Sequence, residues 1–204
     1  MQVFNNLFNP QNNTKPILNN INFGAKFVCS TTIKQKSDNN YKNLPANIVE
    51  IDETDSSDND AINDVAKIWQ SDSFNNLTFV DSIVHDIEMR KVLNLRPTPI
   101  YAITLQENNF EKLDSERVLG LVEFSKVSDG NKIDYLQVNP LYVEKCVFDK
   151  KVCGIGTALI NFLKGIADNF IEVTSSKSAK GFYEKMGFVR LNDENYEYIW
   201  YKDA

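Results

Sequence analysis

A chain of 204 residues, 42% of them hydrophobic, is long enough to bury one sizeable core. Its formal charge of -6 argues against a protein that tracks nucleic-acid phosphates, because such proteins need clustered Lys and Arg. No apolar run reaches the roughly 18 residues of a membrane span, and the start lacks the basic-then-apolar pattern of a secretory signal. Cys29, Cys146 and Cys153 fit neither a CxxC nor a metal-ligand spacing. The expectation is free thiols in a reducing, cytoplasmic setting, with no metal, no nucleic acid and no membrane.

Residues 1–45 carry five Lys and one Asp. Asn comes there in pairs, Asn5-Asn6, Asn12-Asn13, Asn19-Asn20 and Asn39-Asn40, and Asn favours turns over helix or strand. Residues 1–46 therefore read as a loosely ordered N-terminal extension, within which Gly24–Cys29 adds at most a short strand. Residues 47–204 read as one domain. Asn47–Ile51 is its first strand and Asp52–Asp60 an acidic turn. Ala61–Gln70 is a helix with Ile62, Val65, Ala66 and Trp69 on one stripe. Phe79–Leu93 is a second helix with Val80, Ile83, Val84 and Ile87 inward, stopped by Pro97 and Pro99.

Three strands follow, Ile100–Leu105, Val118–Ser125 and Ile133–Val138, the last two joined by an Asp129-Gly130-Asn131 turn. After Pro140 a long loop leads to Cys153. Gly154–Asp168 is a helix that buries Ile155, Leu159, Ile160, Leu163 and Ile166. Phe170–Thr174 is a strand, Ala179–Met186 a helix, and Phe188–Leu191 and Tyr196–Tyr201 are closing strands.

Two segments carry chemistry. In the first, Lys151-Val152-Cys153-Gly154-Ile155-Gly156-Thr157, two glycines open a helix. A helix start offers unpaired N–H groups and a positive dipole end, which suits a pyrophosphate. A Walker loop is excluded, because Gly156-Thr157-Ala158 lacks the Lys, and a dinucleotide fingerprint is excluded, because Leu159 stands where a third Gly is needed. The second segment runs Ser176-Lys177-Ser178-Ala179-Lys180-Gly181-Phe182-Tyr183-Glu184-Lys185-Met186-Gly187-Phe188. Upstream of both stands Leu136-Gln137-Val138-Asn139-Pro140.

In order and spacing these segments resemble the GNAT (GCN5-related) N-acetyltransferase superfamily, over roughly residues 47–204. The resemblance implies an α/β (α+β) fold: a mixed, mostly antiparallel central sheet with helices on both faces. The runs above supply seven strands. It implies acetyl-CoA as co-substrate and an amine-bearing acceptor, acetylated by direct attack in a ternary complex, in a monomer or homodimer. The alternative is a non-catalytic acyl-CoA-binding or partner-binding domain of the same fold.

By the same resemblance, Leu136 and Val138 pair through their backbone with the pantetheine arm. The N–H groups from about Val152 through Cys153, Gly154, Ile155 and Gly156 to Thr157 hold the pyrophosphate, with Lys151 in place of the family's Arg or Gln. Lys145 and Lys150 lie in the same basic approach. Ser176 stands where the family often has Asn, and can cap the helix that follows. Ala179 and Gly181 leave room for the pantetheine end.

Tyr183 occupies the place of the acid that protonates the leaving thiolate. A phenol titrating near ~10 is protonated at pH 7 and can serve a thiolate whose thiol titrates near ~8.5. Its packing alternative is a ring against Phe182 and Phe188. Glu123 is the first choice for the general base, followed by Asp134 and Glu172. His85 reads as a helix-surface residue, and Cys153 as packing.

Overall fold

The computed structural model describes residues 24–37, 40–72, 78–107, 112–142, 152–192 and 194–202. The strands are β1 (Lys26–Ser37), β2 (Asn40–Ile51), β3 (Ile100–Thr104), β4 (Val118–Val127), β5 (Gly130–Val138), β6 (Val152–Cys153), β7 (Phe170–Thr174), β8 (Val189–Asn192) and β9 (Glu197–Tyr201). The longer helices are α1 (Ser56–Asp72), α2 (Phe79–Val92) and α3 (Ile155–Ile166), and α4 (Lys180–Lys185) is a short one. The strands form one nine-stranded sheet in the order β6-β1-β2-β3-β4-β5-β7-β9-β8.

Every neighbouring pair is antiparallel except β5 and β7. That pair is parallel because α3 carries the chain from one strand to the next, and parallel neighbours need such a crossover. Alternation along the strands feeds two cores. Val49, Ile51, Ile100, Ala102, Val118 and Leu121 pack with the buried stripes of α1 and α2. Ile48, Ile103, Leu119, Val122, Phe124, Ile133, Ile171 and Val173 pack with α3, α4 and the closing strands. The expected mixed, mostly antiparallel sheet with helices on both faces is therefore present.

The sheet also reaches further towards the N-terminus than expected. β1 pairs with β2 from Lys26↔Glu50 to Ser37↔Asn40, and Ile33 is only 1% exposed in the core. Residues 26–46 are thus sheet, not a loosely ordered extension, apart from 38–39, which like 1–23 lie outside the described residues. β1 and β6 account for the two strands beyond the expected seven. The physical reason is pairing: a strand with few buried side chains is held by its ladder and its neighbours, and needs little periodicity of its own.

The acidic turn also has a defined job. Asp58 is fully buried at the start of α1 and accepts from the N–H groups of Ala25, at 2.9 Å, and Asp52, at 2.8 Å. It ties the start of β1 to the end of β2. No helix among the described residues is long and apolar enough to cross a membrane.

Candidate active site

The site begins where β5 leaves β7. Their pairing covers only Asn131–Ile133 against Ile171–Val173, yet β5 continues to Val138. Just at that point β5 carries a bulge: Glu123 pairs with Tyr135 and Phe124 with Ile133, which leaves Asp134 as the extra residue. A bulge bends its strand and raises the local twist, and the ladder to β7 ends at Ile133, the residue just before it. Residues 134–138 therefore have β4 on one side and no ladder to β7 on the other. Leu136 and Val138 are half-buried against the α3/α4 core, so their side chains pack while the backbone edge stays available.

α3 begins at the far end of this gap. Its N-cap, Gly154, is in the left-handed region (φ 82°, ψ 7°), and a Cβ placed there would meet nothing within 4 Å among the described residues. The Ala158 N–H donates to the Gly154 carbonyl at 2.9 Å, so the N–H groups of Ile155, Gly156 and Thr157 ahead of it have no partner within the helix. Gly156 serves a different need. A Cβ on it would lie 3.2 Å from Cζ of Phe182 and 3.6 Å from Cγ2 of Val138, so it lets α3, β5 and α4 meet closely. α3 is pressed on β4 as well, since a Cβ on Gly120 would be 3.0 Å from both Ile155 and Leu159.

Val152 and Cys153 lie just before this helix, but as strand β6, paired with Gln35 and Lys34 of β1. The N–H groups with no helix or strand partner are thereby concentrated on the first turn of α3. Lys145, Lys150 and Lys151 lie outside the described residues. Ser176 is exposed and makes no side-chain cap. Instead its Oγ lies 3.0 Å from that of Ser178, which corrects the expectation that it caps the helix. Ala179 is half-buried against the α3/α4 core.

Tyr183 sits on α4 in a nest of rings. Its ring centroid is 5.2 Å from that of Phe182, 5.4 Å from Phe188 and 6.1 Å from Tyr198. It is 5% exposed, and burial lifts its phenol well above the usual tyrosine range. The ring packs against Phe182 and Phe188 as the packing alternative has it, and a hydroxyl that keeps its proton at neutral pH is compatible with the acid reading.

Glu123 lies on the other face, in the α1/α2 core, one strand away from the gap and opposite Tyr135. It is 1% exposed. Burial pushes its carboxyl up to about 7 against the opposing pull of Arg90, with Asp86 and Asp134 adding to the rise. Arg90 also holds Glu53: Nη2 donates to Glu53 Oε2 at 2.7 Å and Nε at 3.0 Å, while Nη1 donates to Glu123 Oε1. Sequence reasoning missed Arg90 and Glu53. The available signal was Arg90's place on the buried stripe of α2 after Ile83 and Ile87. The other base candidates are less enclosed. Asp134 pairs with Lys132 at 3.1 Å, and Glu172 is half-buried in β7. His85 is exposed on α2, and Cys153 is half-buried.

A pH effect on stability follows from Glu123. The fold favours its protonated form relative to the unfolded chain. The stability it contributes is full below the ordinary Glu range and is lost as the pH rises to about 7. Glu123→Gln keeps the size without the titration. Its melting temperature should therefore gain on the parent's between about pH 5 and pH 8. A difference that stays constant across that range in thermal melts would contradict the assignment.

The residues at this site have the chemistry an acyl-CoA needs. Among the described residues nothing fills the space beside Gly154, the first turn of α3 supplies N–H groups, and β5 supplies an edge for an extended arm. Among the described residues no group of three or more His, Cys, Asp and Glu is placed to hold a metal ion.

Residues 101–199 match the family model described as an acetyltransferase (GNAT) domain. No curated protein matches the sequence. Among solved structures, a proposed acetyltransferase from Pyrococcus horikoshii is similar at 19% identity and TM-score 0.49, over 76% of this chain and 47% of that one. This chain thus spans about half that protein's length. The PaiA N-acetyltransferase of Thermoplasma acidophilum, solved with coenzyme A, is similar at 15% identity and TM-score 0.43, over 76% and 96% of the two chains. The ribosomal-protein-S18-alanine N-acetyltransferase of Escherichia coli is similar at 14% identity and TM-score 0.43, over 76% and 89%. The stretch 101–199, just under half of the chain, is thus what matches a GNAT acetyltransferase domain.

Proposed function

We propose that the protein is an N-acetyltransferase that moves the acetyl group of acetyl-CoA to a primary amine of a small molecule, peptide or protein, by direct attack in a ternary complex. The observation that supports this most is the gap beside residues 134–138 with the open first turn of α3 at its end. Acetyl-CoA supplies an activated thioester. The backbone of β5 pairs with its pantetheine arm, and the N–H groups of Ile155, Gly156 and Thr157 meet its pyrophosphate. A neutral amine is needed for attack, so Glu123 takes the acceptor's proton, directly or through water. The new C–N bond forms as the C–S bond breaks, and Tyr183 gives the departing sulfur a proton. One proton leaves the nitrogen and one reaches the sulfur, so the exchange balances.

The test has two arms. Calorimetry should give saturable acetyl-CoA binding, weakened about tenfold, or ~1.4 kcal/mol, in Gly154→Ala with an unchanged circular dichroism spectrum. The added methyl enters the space beside the first turn of α3. Free-thiol release from acetyl-CoA over a panel of primary amines should then show amine-dependent turnover. Binding without thiol release across the panel would favour the non-catalytic acyl-CoA-binding reading. Absence of binding would remove both.

A further inference from the structure

Apart from the gap, the α1/α2 core contains a cluster of charge whose bonding is uneven. Two carboxylates, Glu53 and Glu123, share one guanidinium, Arg90. Burying charges is costly unless each is paired and hydrogen-bonded. Glu53 receives both Nε and Nη2 of Arg90, while Glu123 receives Nη1 alone, through Oε1. Glu123 Oε2 is buried and has no hydrogen-bond partner among the described residues. Buried acceptors are normally satisfied, so an orphaned oxygen on a side chain 1% exposed points to a donor that the described residues do not supply.

We propose that Arg90 and Glu53 are positioning residues: they hold Glu123 by one carboxylate oxygen and keep the other free for the proton of the acceptor amine. This rests on Glu123 as the proton acceptor. The second carboxylate is what makes the device work. An Arg facing a single carboxylate holds it ionised and lowers its pKa by about 1–3 units, which makes it a poor base. Glu53 takes most of the fork of Arg90, so Glu123 is oriented without losing its basicity.

Among the described residues the surroundings add no competing cation. α2 faces Glu123 with Arg90 and Asp86, and β5 brings Asp134 and the phenol of Tyr135. β3 places Ile100 opposite it. α1 contributes apolar side chains to this core, and at its first turn Asp58, whose oxygens are taken by the Ala25 and Asp52 N–H groups.

The experiment is a carbon-13 NMR titration of the full chain labelled at Glu carboxyls. The Glu123 resonance is identified as the one missing from Glu123→Gln. In Glu53→Gln the guanidinium turns its charge on Glu123, and the Glu123 midpoint should fall by about one unit or more. In Arg90→Met it should rise. The acid limb of the pH dependence of kcat/KM, read by thiol release with the amine found active in the panel, should move with it in Glu53→Gln, while acetyl-CoA affinity holds. A tether that only fastens α2 to the sheet would let the midpoint fall by the same loss of charge but leave the kcat/KM limb and turnover unmoved. An unmoved Glu123 midpoint in Glu53→Gln would overturn the proposal. Should Glu123→Gln turn over as the parent does, the role of Glu123 fails and the proposal with it. Loss of turnover in Glu123→Gln together with an unmoved midpoint in Glu53→Gln would remove the positioning pair alone.

Discussion

Tyr183→Phe should lower turnover about a hundredfold to ten-thousandfold, the usual contribution of a general acid, and leave acetyl-CoA affinity nearly unchanged. The substitution keeps the ring that packs against Phe182, Phe188 and Tyr198 and removes only the hydroxyl. Burial raises this phenol, which makes it a reluctant donor to a thiolate in water. The same burial disfavours a thiolate formed beside it, so both partners shift the same way. The deficit should therefore shrink with an acyl donor whose thiol leaves readily without a proton. Equal saturated rates for Tyr183→Phe and the parent, with chemistry shown to be rate-limiting, would return Tyr183 to packing alone.

A chain that starts at Leu44 should lose its cooperative melt or fall by more than about 10 °C. It lacks β1 and the first residues of β2, and exposes the edge of a sheet that the full chain covers. The single change Ile33→Ala probes the same strand with less damage. Removing a fully buried Ile side chain costs about 2–5 kcal/mol, and each kcal/mol moves the melting point of a chain this size by about 2–4 °C. A melting temperature for Ile33→Ala within about a degree of the parent's would mean that β1 is not part of the cooperative unit.

These two regions differ in how much of their structure is local. Around Tyr183, Gly154 and Leu136–Pro140 the sequence carries dense local signals, since glycines, a helix start and a strand end each have their own residue chemistry. β1 was obscured by the Asn pairs on either side of it. Its own signal is the run Phe27-Val28-Cys29-Ser30-Thr31-Thr32-Ile33, rich in aromatic and β-branched residues, with Ile33 alone fully buried. The gap was legible only through family resemblance. The bulge at Asp134 depends on how β5 registers against β4, and register belongs to two strands at once. Arg90 lay in plain sight on an apolar stripe, but its partners Glu53 and Glu123 are 37 and 33 residues away in the chain.

The two glycines show the same limit. Both read as room for phosphates. Gly154 has the left-handed backbone and open surroundings that such a role needs, whereas the space beside Gly156 is filled by Phe182 and Val138. Residue type announced a close approach at each position. Only the packing distinguishes approach by a ligand from approach by the protein's own helix.

The most direct test of the account is a crystal structure of the full chain with acetyl-CoA. The account predicts the pyrophosphate on the N–H groups of Ile155, Gly156 and Thr157, the pantetheine arm along residues 134–138 between β5 and β7, and the thioester sulfur within hydrogen-bonding reach of the Tyr183 hydroxyl. Acetyl-CoA bound away from this gap, or bound in it with the sulfur remote from Tyr183, would contradict it.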